Sequence, residues 1–84
     1  MKNPPPVYPR KSRINKEQGT VLLLVDISDK GIAKKLTIKK SSGYRRLDKS
    51  ALNSVRSWRF KPARLAGVAI ESTAVVPVRY MLNK

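Results

Sequence analysis

Three stretches of the chain carry a repeat of apolar positions long enough to assign a conformation. From Gly19 to Ser28, G-T-V-L-L-L-V-D-I-S, an extended chain puts Val21, Leu23, Val25 and Ile27 on one side and Leu22 and Leu24 on the other. Apolar residues on both sides describe a central strand. From Ala69 to Tyr80, β-branched residues dominate, and Val76, Val78, Tyr80 and then Leu82 alternate with Pro77, Arg79 and Met81. That is the period of a half-buried strand. Pro77 has no N–H to give to a neighbour, so this last strand belongs at a sheet edge. From Leu47 to Trp58 the period changes: Leu47, Ala51, Val55 and Trp58 recur at spacings of 4, 4 and 3, with Leu52 alongside. This is the stripe of an amphipathic helix.

The segments between them complete the outline. Ser28-Asp29-Lys30-Gly31 has the composition of a turn, with Gly31 able to take positive φ. Ile32–Lys40 then returns as the second strand of a hairpin. If Ile27 pairs with Ala33, strict alternation turns Leu36 and Ile38 away from the Val21–Ile27 side. One extra residue at Lys34–Lys35, a β-bulge, brings them back and yields a single core. The pairing without a bulge sets them beside Leu22 and Leu24 instead. Asp48 suits the positive end of the helix dipole, and Arg56 and Arg59 suit its negative end. Pro62 stops the helix, and Lys61–Gly67 reads as a loop. Arg10–Glu17 is expected to be a short basic helix started at Pro9. Residues 1–9, M-K-N-P-P-P-V-Y-P, read as extended chain, the end of a Pro-rich linker, with the domain proper spanning 10–84. The expected architecture is α+β: a three-stranded antiparallel or mixed sheet in order 2-1-3, with one long helix and one short N-terminal helix packed on one face.

Composition narrows the chemistry. The 84 residues contain neither cysteine nor histidine, and the five acids (Glu17, Asp26, Asp29, Asp48, Glu71) form no close pair. The usual general base and the commonest metal ligands are therefore missing, and no catalytic, metal or cofactor residues are expected. A net charge of +14 points to an anionic partner: nucleic acid, anionic lipid or acidic peptide. Lys39-Lys40 and Arg45-Arg46 around Tyr44 could grip phosphates with the tyrosine as a stacking platform, but fit better as a solvated loop with one half-exposed aromatic. Trp58-Arg59-Phe60 has the composition of a surface hot spot but fits better as a core pair with Arg59 turned to solvent.

An ordered set of short motifs adds a resemblance: Tyr8-Pro9, Gly19-x-Val21-x-x-x-Val25, Asp29-x-Gly31, Ser41-Ser42-Gly43, Leu47-Asp48-x-x-Ala51-Leu52, Trp58-Arg59-Phe60-x-Pro62-Ala63, Gly67 and Val76-Pro77-Val78-x-Tyr80-x-Leu82. Together these resemble the C-terminal domain of TonB-type energy transducers of Gram-negative bacteria. The resemblance implies a periplasmic, non-enzymatic binding domain at the end of a longer protein anchored in the inner membrane. It implies that the missing N-terminal part works with ExbB and ExbD. It also implies that the domain grips the TonB box of outer-membrane transporters for siderophores, haem or vitamin B12 by adding the box as a strand to its last strand. The residues expected to meet that partner are Tyr8, Pro9, Ile70, Ser72, Thr73, Ala74, Val75, Val76, Pro77 and Arg79. Pro5 stands where many members have Gln, and Ser12 and Ser50 stand at positions that are commonly Ala. Leu22 and Leu24 replace residues often polar, which keeps a homodimer open. A nucleic-acid-binding module and a TolA-like periplasmic interaction domain are the alternatives; with the aromatics assigned to the core, no nucleic acid is expected as partner.

Overall fold

A computed structural model describes residues 3–82. Residues 1–2 and 83–84, the outer ends of the expected linker and domain, lie outside the described part. The elements run α1 (Arg10–Ile14), β1 (Gly19–Ile27), β2 (Ala33–Lys40), α2 (Arg45–Val55), β3 (Ala63–Leu65), β4 (Val68–Ile70) and β5 (Ser72–Tyr80). The main sheet has the expected order, β2-β1-β5, and both of its pairings are antiparallel. One face of this sheet carries the core. Val21, Leu23, Val25 and Ile27 of β1 meet Val78 and Tyr80 of β5 and the Leu47, Ala51 and Val55 stripe of α2. Leu36, Ala74, Val76, Trp58 and Phe60 border it, and Arg59 is exposed.

The hairpin confirms the bulge. Ile27 lies opposite Ala33 and Asp26 opposite Lys35, which leaves Lys34 as the extra residue. Leu36 and Ile38 thereby face Val25 and Leu23 across the ladder. A second irregularity, at Lys39, was not expected. The sequence around it, K-K-S-S-G, holds no apolar residue whose side reports the register. The turn is a three-residue loop. The N–H of Gly31 donates to the carbonyl of Ser28 (3.0 Å), and the N–H of Ser28 donates to that of Ile32 (2.8 Å). Gly31 takes φ +80°, the left-handed conformation that closes such loops.

Several boundaries need correction. The long helix starts two residues earlier than Leu47 and ends at Val55, so Trp58 lies beyond it. The indole N–H of Trp58 donates to the carbonyl of Pro4 (2.8 Å), a contact far away in sequence that fixes the ring after the helix has stopped. The segment expected to be a loop at Lys61–Gly67 contains β3, and the expected strand from Ala69 breaks at Glu71. β3 and β4 pair as a separate hairpin closed by Ala66 (φ 51°) and Gly67 (φ 80°), both left-handed. That is the two-residue turn favoured by strand twist. Strands of three residues are too short to show a period, and Ala66 is not a turn former. The short helix is α1, and it stops at Ile14 rather than Glu17.

Ser12 is the residue that α1 buries, and its hydroxyl has no hydrogen-bond partner. An unpaired buried hydroxyl costs about 1 kcal/mol or more. Ser12→Ala is therefore expected to raise stability by about 1 kcal/mol, measurable as a higher denaturant midpoint at unchanged slope. A lower midpoint would show that the hydroxyl is satisfied.

Asp48 ties the end of β2 to the start of α2. Its carboxylate accepts from the N–H of Ser42 (2.9 Å), from the Ser42 hydroxyl (2.8 Å) and from the Ser41 hydroxyl. Burial pushes its pKa up, but these donors outweigh burial and hold it below the ordinary value of 3.8. A depressed carboxylate contributes stability that is present above its unfolded pKa and lost as pH falls through the folded one. Asp48→Asn is expected to cost about 2 kcal/mol near neutral pH. It should also flatten the acid limb of the stability curve below about pH 4, as urea titrations at a series of pH values will show.

Candidate functional site

The main sheet has two edges, and they differ. The β2 edge is interrupted by the irregularities at Lys34 and Lys39 and carries Lys34, Lys35, Lys39 and Lys40, all exposed. Bulges and lysines are the devices that keep an edge from pairing. β5 has neither. It pairs with β1 in unbroken register from Gly19↔Tyr80 to Ile27↔Ser72, and among the described residues no strand lies on its other side.

The direction of the β5 backbone groups follows from one hydrogen bond. The N–H of Ser28 points to the β2 side, where it meets the Ile32 carbonyl. In an antiparallel ladder the groups of successive residues alternate between the two neighbours. Leu22, Leu24 and Asp26 therefore bond toward β2, and Gly19, Val21, Leu23, Val25 and Ile27 toward β5. Their partners Ser72, Ala74, Val76, Val78 and Tyr80 bond inward. Thr73, Val75, Pro77 and Arg79 turn theirs out. Pro77 agrees with this assignment: it lies opposite Leu22, in a pair that needs no N–H from it. The open edge thus offers N–H groups at Thr73, Val75 and Arg79 and carbonyls at Thr73, Val75, Pro77 and Arg79.

The side chains sort the same way. Ala74 and Val76 pack against the core, whereas Thr73, Val75, Pro77 and Arg79 are exposed. The Thr73 hydroxyl donates to Asp26 on β1 (3.1 Å). On this open face Val75 and Pro77 stand opposite Leu24 and Leu22, so its apolar strip is wider than the two leucines suggested. Shallow clefts open at both ends of the edge, one lined by Gln18, Thr20, Arg79 and Met81, the other by Asp26, Lys35, Glu71 and Thr73.

The other expected site residues lie elsewhere. Ile70 belongs to β4, opposite Ala63, and is separated from the β5 edge by Glu71. Tyr8 packs edge-on against Tyr80 (5.3 Å between centroids, 82° between planes), and its hydroxyl donates to the carbonyl of Glu17. Burial pushes the Tyr80 phenol above its ordinary pKa. Pro9 is the residue before α1, with φ −59° and ψ 138°. Tyr8 thus holds the N-terminal segment against the end of β5, and Pro9 starts α1. The segment before them is held too. The Asn3 amide donates to the Arg59 carbonyl (3.0 Å) and accepts from the Arg59 N–H (2.7 Å). Val7 takes a hydrogen bond from the Ser50 hydroxyl and gives one to that of Ser54 (3.2 Å). Ser50, at a position that is commonly Ala, serves that contact. Sequence reasoning missed Asn3 and Ser54, and nothing local to either signals a partner about 50 residues away.

No group of His, Cys, Asp and Glu among the described residues is placed to hold a metal ion, and no helix there is long and apolar enough to cross a membrane. Of the aromatic side chains, Tyr44 is the exposed one (40%); Tyr8, Trp58, Phe60 and Tyr80 pack in or against the core. Of the basic residues expected in a loop, Lys39 and Lys40 end β2 and Arg45 and Arg46 begin α2, where Arg46 pairs with Glu17 (3.1 Å).

Comparison with known proteins places the sequence in a family. The family described as "Gram-negative bacterial TonB protein C-terminal" matches residues 4–82. The chain is 36% identical over 81 residues to "Protein tonB2" of Pseudomonas aeruginosa, covering 96% of this chain and 30% of that protein. It is 35% identical over 78 residues to "Protein TonB" of Vibrio cholerae, covering 93% of this chain and 32% of that one. It is 40% identical over 80 residues to "Protein TonB" of Neisseria meningitidis serogroup C, covering 95% and 27%. The chain therefore spans about a third or less of the length of these relatives. With the family matched along nearly its whole length, and a fold that sets the quoted motifs at the turn, the helix and the edge strand, the chain belongs to the family of Gram-negative bacterial TonB protein C-terminal domains.

Proposed function

We propose that the β5 edge binds an extended peptide as a fourth strand. The observation that supports this most is the contrast between the two edges: β2 is bulged and lined with lysine, and β5 is straight, long and open. The peptide is the TonB box of an outer-membrane transporter. In the whole protein residues 1–9 end a Pro-rich periplasmic spacer, and an inner-membrane anchor working with ExbB and ExbD supplies the force. The domain is a non-enzymatic, periplasmic link in the uptake of siderophores, haem or vitamin B12.

The physics suits such a role. Each main-chain hydrogen bond contributes roughly 0.5–1.5 kcal/mol net, so a few of them, less the cost of ordering the peptide, give a modest and reversible grip. Main-chain recognition asks little of the peptide's sequence, which lets one domain serve several transporters. Pulling along a strand loads the bonds together. The +14 charge speeds encounter with acidic segments. A homodimer through this edge would set two such charges side by side, which favours a peptide as the fourth strand. With one exposed aromatic in the basic loop, nucleic-acid binding has little stacking surface.

The test is a titration of the isotopically labelled chain with TonB-box peptides. The amides of Thr73, Val75 and Arg79 should shift most and gain protection from exchange. Shifts confined to β2, or to the loop around Tyr44, would place the peptide elsewhere and end this reading.

A further inference from the structure

We infer that the β3–β4 hairpin is a contact site for an anionic lipid bilayer. Because Ala63 pairs with Ile70 and Leu65 with Val68, all four side chains share one face of the hairpin, and every one is apolar. Leu65 is 67% exposed, Val68 64% and Ile70 37%. None of the four belongs to the core or to the residues packed against it. The hairpin is a sheet of its own, and its turn, Ala66-Gly67, is exposed as well. Stability does not explain this face, since the domain buries none of it in its core.

The surroundings specify the partner. Arg59, Lys61 and Arg64 lie in β3 or just before it and are exposed. The Arg64 guanidinium donates to the carbonyl of Gly67 (3.0 Å), which sets its charge at the turn. The neighbouring acid, Glu71, is paired with Lys34 (2.8 Å). An apolar hairpin face with one cation held at its turn and two more just before its first strand matches the boundary of an anionic bilayer, where short apolar side chains enter the acyl region and cations stay with the headgroups. A protein partner fits less well. Four side chains fall far short of the roughly 1,000 Å² that a specific interface needs, and a second copy would bring another +14 to the same place. A bilayer needs no shape complementarity. The contact does not depend on the β5 edge. If the edge does grip a transporter, the contact also confines the domain's search to the membrane surface.

The experiment uses the 84-residue chain and two kinds of vesicle, phosphatidylcholine alone and phosphatidylcholine with phosphatidylglycerol. Sedimentation should show binding to the anionic vesicles. Leu65→Ser with Val68→Ser should weaken it by about tenfold or more at unchanged charge. Lys61→Gln with Arg64→Gln should weaken it by a similar factor. The chain has no cysteine, so a polarity-sensitive dye can be placed singly at Val68→Cys and, as a control, at Thr37→Cys on β2. Blue-shifted emission from the first and not the second is expected. If the serine pair binds as the parent does, or if both dyes shift alike, charge alone holds the protein and the hairpin is not the contact. Sedimentation velocity without lipid adds a further check: self-association that the serine pair abolishes would assign the face to a second copy instead. Peptide titration of the serine pair should match the parent, which separates a failure here from a failure at β5.

Discussion

Replacing Gly31 by alanine is expected to lower stability by about 3 kcal/mol or more and the melting temperature by roughly 15 °C. Two costs combine at this residue. Its φ of +80° disfavours any side chain. A Cβ there would also lie 2.1 Å from the Phe60 carbonyl oxygen, a backbone atom. That oxygen cannot move alone. The Phe60 N–H donates to the Gly31 carbonyl (2.9 Å), and Ile32 bridges to Arg59. Making room for a methyl group therefore drags Phe60 and Trp58 from the border of the core. Gly67→Ala supplies the control. Gly67 shares the φ of +80°, but a Cβ there meets nothing within 4 Å, so it should cost only about 1–2 kcal/mol. Thermal and denaturant melts of the two variants measure the difference. Equal losses would mean that backbone conformation, not the approach of Phe60, is what Gly31 serves.

Val75→Pro is expected to weaken TonB-box peptide binding by about tenfold or more while the domain stays folded, and Val76→Pro is expected to unfold it. The two positions are adjacent, and only the direction of the N–H differs. That of Val75 faces the open edge, so proline removes one bond to the incoming strand and crowds it with a ring. That of Val76 is bonded to β1 opposite Leu23, in the middle of the core. Losing it costs a ladder bond where water cannot replace it. Pro77 shows that this strand accepts a proline at an outward position. Arg79→Ala should change affinity less, since the ladder is main chain. Circular dichroism establishes folding first, and calorimetric titration then measures binding. A folded Val75→Pro variant with parental affinity would move the docking site off β5.

Much of this molecule was legible in its sequence, and the reason lies in particular residues. The run from Val21 to Ile27 is apolar on both sides over enough positions to identify a central strand, and the stripe from Leu47 to Val55 runs for more than two helical turns. Leu36 and Ile38 sit out of phase with their neighbours, which pointed to a bulge at Lys34–Lys35 over the unbulged pairing beside Leu22 and Leu24, and the structure has it at Lys34. Pro77 marked an edge. Where the sequence was silent, the repeat was short or the partner distant. β3 and β4 have three residues each. The register slip at Lys39 lies among polar residues, and Trp58, beyond the end of α2, is held by the distant Pro4.

The candidate site divides along the same line. That the last strand is an edge strand, apolar toward a core and free of lysine, follows from its composition, its period and Pro77. Which backbone groups of that strand are free is decided by the tertiary structure alone. Side-chain alternation reports which face of a sheet a residue occupies, and hydrogen-bond alternation reports which neighbour its backbone meets. Chirality at Cα ties the two alternations to each other, but which set of groups is left free depends on which side of the strand its neighbour lies. That side is settled outside the strand: β1 meets β2 through the N–H of Ser28 on the carbonyl of Ile32, and so turns its other side to β5.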